Sequence, residues 1–359
     1  NGSWTLYYSP QDSVKVDDVL QLEKSGIPSV PATVPGNVEL DLSAAGILPK
    51  DLFKGMNIMQ AEQFEKHEWW YEKKFLAPDA PDDDHKVTLH FGAVDCIATY
   101  YLNGEEIGSS DNMFISYDFD VTEKIKYNAE NIIHVHIKSA MLKGAEYELD
   151  LDQLSLMLHR TSTALNVRKA PHMYGWDIMP RAVTSGIWRD VRLEIRDKLY
   201  FSQLFFKTTQ TNCILLFEVE SKWSDFKNVE IEAVGHCGDS SFSVRRPLIS
   251  GKAGRISIPI KNPKVWWPYG YGEANIYDVV VRLYSCGELI HEEPASFGLR
   301  TVKLDRTDAT DGHNGQFRFL INDVEVMCKG SNWVPLDAFH SRIKSRMEQA
   351  LQCLWETNC

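Results

Sequence analysis

The stretch VTLHFGAVDCIATYYLNGEEIG, residues 87–108, decides what kind of fold this chain adopts. Val87, Leu89 and Phe91 alternate with polar residues, a period of two that places all three on one face of a strand. Near its end, Asn103-Gly104 stands between two apolar runs, and both residues tolerate the positive φ that a two-residue hairpin turn requires. A β-hairpin about residues 103–104 follows. Ile133, Val135 and Ile137 repeat the alternation further on. Helical periodicity is scarce in this part, so residues 1–197 are expected to form a β-sandwich of jelly-roll type.

A second strand series begins after it: LFFKTT, CILLFEVES, NVEIEAVG, SFSVRR, GRISIPI, IYDVVVRLYS and ASFGLRTVKL. Short strands separated by turns about every 8–12 residues predict an immunoglobulin-like β-sandwich over 198–306. Its Cys213, Cys237 and Cys286 lack the Cys-Trp-Cys pattern of antibody domains and read as plain buried thiols. Residues 307–359 are different. There Ile343, Met347, Ala350, Leu351 and Leu354 recur at helical spacing, with Ser341 placed to cap the helix. A few strands and one helix bury such a stripe poorly, so this piece is expected to open a larger α/β domain that is truncated here.

Composition narrows the function. The chain has 359 residues, 43% hydrophobic and 25% charged, and reads as a folded protein of two or three domains. Its net charge of -12 opposes a phosphate backbone and no compensating basic patch is present, so no nucleic acid is expected as partner. No run of about eighteen apolar residues appears, so no membrane span is expected either. The chain opens Asn1-Gly2-Ser3-Trp4 without Met, from which a removed leader and a periplasmic or secreted location are expected. Seven Cys are scattered without CxxC pairs, which indicates neither a zinc ribbon nor a disulfide scaffold. His134-Val135-His136 has the spacing of two metal-ligating imidazoles on one strand face, but no third ligand is near in sequence and the pair reads as a solvated face. Nothing here demands a metal or a cofactor. Phosphate-binding glycine loops, nucleophile elbows and HExxH helices are missing from the sequence.

Chemistry concentrates in RKAPHMYGWDIMPRAVTSGIWRDV, residues 168–191. Sugars present flat C–H faces and rings of hydroxyls, so their sites combine aromatic surfaces with charged, planar hydrogen-bonding groups. Trp176 and Asp177 supply that combination side by side, with Gly175 and Pro180 forcing irregular backbone around them. The plainer reading makes Trp176 a core aromatic and Asp177 a surface partner of Arg181. Trp188, within the strand-like GIWRDVRLEI, reads as core.

In order along the chain, VPGNVELDL (34–42), LHFGAVDCIATYYLNGEEIG (89–108), DNMFISYDFDVT (111–122), RKAPHMYGWDIMPR with GIWRDV, KVWWPYGYG (264–272), FGLRTVKL (297–304) and CKGSNWVPLDAF (328–339) resemble glycoside hydrolase family 2, and within it the β-mannosidase-like members. The resemblance implies a jelly-roll sugar-binding domain, an immunoglobulin-like domain and a (β/α)₈ barrel that carries the catalytic pair. It implies an oligosaccharide or glycoside substrate and a retaining exo-glycosidase acting on terminal β-mannosidic bonds. In that family one Glu acts as acid/base and another as nucleophile, with carboxyls about 5–5.5 Å apart.

Carried onto this chain, the resemblance makes Trp176 an apolar wall and Asp177 an acceptor for ring hydroxyls, with Arg168 and His172 of the same loop as further substrate-binding residues. The family usually continues WDWGP, whereas this chain reads Trp176-Asp177-Ile178-Met179-Pro180, which lacks the second aromatic. No catalytic residue is assigned: Glu68 and Glu356 lie where the family has no acid, and both catalytic Glu are expected beyond Cys359. Trp69-Trp70 and Trp266-Trp267 take structural roles in the resemblance. The alternatives are another family 2 activity (β-galactosidase, β-glucuronidase or exo-glucosaminidase) or a non-catalytic carbohydrate-binding protein, against which the apolar stripe Ile343 to Leu354 argues.

Overall fold

The structure is a computed structural model that describes residues 1–81, 85–147, 162–197, 199–221, 228–249, 251–307, 315–330 and 332–356. The chain divides into two compact units, one of Asn1–Pro81, Lys86–Ile195 and Trp333–Cys359, the other of Asp82–His85 and Arg196–Asn332. Both are mainly β.

In the first unit, strands β1 (Gly2–Pro10), β2 (Ser29–Val34), β3 (His67–Leu76), β5 (Ile97–Leu102), β6 (Glu105–Ser110) and β8 (Glu130–Lys138) form one sheet in the order β2-β1-β3-β8-β5-β6. Strands β4 (Lys86–Phe91), β7 (Tyr117–Asp120) and β9 (Val191–Arg196) form a second, in the order β7-β4-β9. Val87, Leu89 and Phe91 of β4 and Ile133, Val135 and Ile137 of β8 enter the same buried core, as the alternation predicts. Phe91 lies 4.5 Å, centroid to centroid, from fully buried Tyr100, which in turn lies 4.7 Å from Phe119. Large rings meeting between two sheets remove much apolar area from water, the main favourable contribution to such a core.

The hairpin stands where the sequence places it: Asn103 (φ 53°) and Gly104 (φ 87°) join β5 to β6. Asn103 also donates through Nδ2 to Asn131 Oδ1 at 2.8 Å, and Asn131 Nδ2 donates to Lys126 O at 2.7 Å. One turn is therefore tied, through the start of β8, to the loop at Lys126.

Two expectations fail here. His134 and His136 are not solvated but buried, at 0% and 8% exposure. Periodicity put them on the outer face of β8 correctly, yet that face is covered by Val14, Val16, Val19, Leu22 and Ile27, from a segment whose regular part is the short 3₁₀ helix Val19–Lys24. Each imidazole finds a carboxylate on β3, His134 Nε2 at 3.2 Å from Glu72 and His136 Nε2 at 3.0 Å from Glu68. Ser341 does not cap a helix through its side chain. It sits in a 3₁₀ turn (His340–Arg342) before the helix Ile343–Glu356, and its hydroxyl and N–H both donate to Oδ1 of fully buried Asn37, at 2.6 and 3.1 Å. The neighbouring Ala338 and Phe339 are buried in the first unit's main core.

The helix itself follows the predicted spacing. Met347 and Leu351 are 39% and 53% exposed, so this apolar stripe is open among the described residues. The side chains of Leu354 and Glu356 and all of Cys359 lie outside them.

In the second unit, β10 (Leu199–Thr208), β11 (Cys213–Ser221) and β14 (Ala253–Ile258) form one sheet. A second contains β13 (Ser240–Pro247), β12 (Val229–Cys237), β15 (Tyr277–Ser285) and β16 (Glu288–Phe297), in that order. Alternate residues of both enter one core, with the Tyr277 and Phe297 rings 5.2 Å apart and nearly parallel. A third small sheet joins β17 (Val302–Arg306), β18 (Phe317–Ile321) and β19 (Val324–Val326). Cys213 is buried as expected, but Cys286 is exposed: with φ 51° it forms, with Gly287, the two-residue turn between β15 and β16.

Candidate functional site

The chain from Val167 to Ile187 is irregular on the outside and anchored from within. Lys169 is 2% exposed, and its ammonium donates to Asp95 Oδ2 (2.5 Å) and to Thr184 O (2.6 Å), while Thr184 Oγ1 donates to the same carboxylate oxygen at 3.0 Å. A buried ammonium persists only when paired in this way. Val167, Ala170, Met173, Tyr174 and Val183 then pack with Cys96, Met113 and Ala140 in a small core of their own. Trp188, half-buried beside it, donates through Nε1 to Met113 O at 3.0 Å. It is a structural indole, as expected.

From this base the chain turns outward. Pro171 opens a 3₁₀ turn (Pro171–Tyr174), and Gly175, at φ 106°, redirects the backbone in a conformation that other residues rarely adopt. Trp176 and Met179 exchange both backbone hydrogen bonds, at 3.1 and 3.2 Å, which leaves Asp177 and Ile178 at the tip of a tight turn. Trp176 is 65% exposed and Ile178 61%. Asp177 is exposed too, and among the described residues its carboxylate accepts no hydrogen bond. Trp176 is thus not a core aromatic, and Arg181 pairs with Glu65 rather than with Asp177.

The other two expected site residues part company. Arg168 is exposed, held through its carbonyl, which accepts from Met113 N at 3.0 Å. His172 is half-buried and faces inward, its ring 5.2 Å from that of His340. Burial, with the nearby Lys169 charge, pushes the His172 imidazole below its usual value. Burial pushes His340 further, to about 3, helped by His172 and Lys169. Two neutral rings stack there, with His172 Nε2 and His340 Nδ1 buried and unpartnered.

Sequence reasoning missed Glu65, Lys169 and His340. Lys169 lies next to Arg168 and nothing local separates a buried cation from an exposed one; its partner is 74 positions away. Among the described residues no group of three or more His, Cys, Asp or Glu is placed to hold a metal ion, and no helix is long and apolar enough to cross a membrane.

Comparison with known families places this loop. Residues 11–189 match the galactose-binding domain-like model of glycosyl hydrolase 2, and residues 200–300 match the model of glycosyl hydrolases family 2. The chain belongs to glycoside hydrolase family 2. The whole of the Trp176–Asp177 turn falls inside the first match.

Within family 2 the similarity runs to β-mannosidases. "Beta-mannosidase B" of Aspergillus clavatus is 31% identical over 315 residues, 85% of this chain and 36% of that protein. The enzyme of the same name from Emericella nidulans is 30% identical over 327 residues, 88% of this chain and 37% of that protein. The crystal structure of a β-D-mannosidase from Dictyoglomus thermophilum superposes with a TM-score of 0.81 at 30% identity, over 98% of this chain and 42% of that one. The chain thus spans little more than a third of its Aspergillus relative and corresponds to the N-terminal part of it.

Proposed function

We propose that this family 2 chain is the N-terminal part of a retaining exo-glycosidase that removes terminal β-mannosyl units, and that Trp176 and Asp177 form part of the pocket for the terminal sugar. The exposed indole beside an unengaged carboxylate, on a braced turn, carries this reading. Trp176 offers a flat apolar face for the C–H side of a pyranose, and Asp177 offers two acceptor oxygens for adjacent ring hydroxyls. The reading extends to Arg168, exposed in the same segment, and to His172, half-buried beside His340, as further contacts for the ligand.

In this reading residues 1–197 are the jelly-roll, 198–306 the immunoglobulin-like sandwich, and 307 onward the opening of a (β/α)₈ barrel. Such a barrel needs about 250 residues, and the 36% coverage of the Aspergillus relative leaves room for one. The barrel supplies both catalytic carboxylates, so no residue of this chain reacts with the sugar. The chain alone is therefore expected to hydrolyse nothing.

Assaying the complete protein on p-nitrophenyl β-mannoside, β-galactoside and β-glucuronide tests the proposal. The highest kcat/KM is expected on the mannoside; an equal or higher value on either of the others overturns the assignment.

A further inference from the structure

Gly175 N still donates to His172 O at 3.0 Å, but beyond it the tip Trp176–Pro180 is held, among the described residues, by its two internal backbone hydrogen bonds alone. Its direction must come from its stem. There Ala182 N donates to Met173 O at 2.8 Å, closing the loop one step inside Arg181. The Arg181 guanidinium then meets Glu65 in a fork, Nε to Oε1 at 2.8 Å and Nη2 to Oε2 at 2.6 Å, while Nη1 donates to Tyr174 O at 3.1 Å and Nη2 also to Met141 Sδ at 3.5 Å. It also lies over the Tyr174 ring, 5.8 Å from the centroid. One planar group thus spans both strands of the stem, since Tyr174 precedes Gly175 and Arg181 follows Pro180.

Glu65 is itself fixed. It follows the 3₁₀ turn Asn57–Phe64 with its N–H donating to Glu62 O, and its own carbonyl accepts from Ser139 Oγ at 2.5 Å. A bidentate pair between partly buried groups, with Glu65 anchored at its backbone and Arg181 next to the Ala182–Met173 bond, sets orientation as well as distance.

We propose that Arg181 and Glu65 are positioning residues for sugar binding: they aim the Trp176–Asp177 tip without touching the ligand. This rests on the reading of that tip as part of a saccharide pocket, but the aiming itself is measurable without it.

Hydrogen exchange on the complete protein is the first arm. Arg181→Met and the isosteric Glu65→Gln are each expected to speed exchange at the Trp176 and Met179 amides tenfold or more, with β3 and β8 amides unchanged and Arg181→Lys intermediate. Unchanged exchange at Trp176 and Met179, or an equal rise throughout the unit, overturns the proposal. Kinetics of the complete enzyme on p-nitrophenyl β-mannoside are the second arm. Arg181→Met is expected to lower kcat/KM tenfold or more, and to add nothing once Asp177→Ala is present, because both act through one tip. Losses that multiply in the double variant overturn it. Faster tip exchange with an unchanged kcat/KM for Asp177→Ala would sink the pocket reading and leave the brace standing.

Discussion

The imidazole of His136 lies flat on the indole of Trp70, centroids 3.8 Å apart and planes 4° from parallel, while its Nε2 sits 3.0 Å from Glu68 Oε2. Stacking and the polar contact together fix the ring on a sheet face that excludes water. Ser9 Oγ also donates to Glu68, at 3.4 Å. Truncation by Glu68→Ala strands both donors in the interior and is expected to cost about 2–4 kcal/mol, whereas Glu68→Gln keeps an acceptor and costs less. Urea unfolding of the first unit measures the difference. Equal midpoints for the two variants would refute this account.

The Lys169–Asp95 pair is deeper still, with both side chains at 0% exposure. Removing the cation alone leaves a carboxylate in the core, so Lys169→Met is expected to cost about 3–5 kcal/mol. Adding Asp95→Asn should restore part of that loss, since the buried charge is then gone. Recovery in a thermal-melt comparison checks it; a double variant less stable than Lys169→Met points to a different cause.

Stability should peak between two pH limits. Burial raises the Glu39 carboxyl from an ordinary 4.5 to about 8, and its Oε2 is buried without a partner. The folded chain keeps a proton there that the unfolded chain releases first. This contribution is complete below 4.5 and disappears as the pH rises to about 8. His340 acts in the opposite sense: its imidazole falls from 6.5 to about 3, so the unfolded chain takes up the proton first and stability declines as the pH drops below 6.5. Glu39→Gln should flatten the alkaline limb of a melting-temperature series and leave the acid limb in place. An alkaline limb of unchanged slope would show that another group controls it.

At the tip of the loop, function and stability should separate. Trp176→Ala and Asp177→Ala remove exposed side chains and are expected to shift the melting temperature of this chain by no more than about 1–2 °C. In the complete enzyme each should lower kcat/KM tenfold or more, with kcat falling for Asp177→Ala if its hydrogen bonds tighten in the transition state. A large melting shift would return either residue to a structural role.

The strands and the first hairpin were legible because they are local: Val87, Leu89 and Phe91 report a face by spacing alone, and Asn103-Gly104 reports a turn by its backbone tolerance. What covers a face is not local. The same spacing that located His134 and His136 on β8 said nothing of the segment around Val19 and Leu22, which has no period of its own and buries them. The turn at Cys286-Gly287 shows the related limit, since a cysteine at positive φ carries no turn signal. For the loop, the exposed pair Trp176 and Asp177 could be chosen from residue chemistry, but the brace could not, because Glu65 lies 116 positions from Arg181.

The contact between Ser341 and Asn37 has a consequence for how the first unit comes into being. Its two ends are 304 positions apart, and all of Arg196–Asn332 is made between them. On the ribosome the nascent unit therefore waits through the synthesis of its neighbour with the Asn37 amide open and the slot for the Phe339 ring empty. A vacancy of that size is worth about 3–5 kcal/mol in a finished core, so the early intermediate is a looser body than the product, and it is sealed by a stretch translated only after the whole of the second unit.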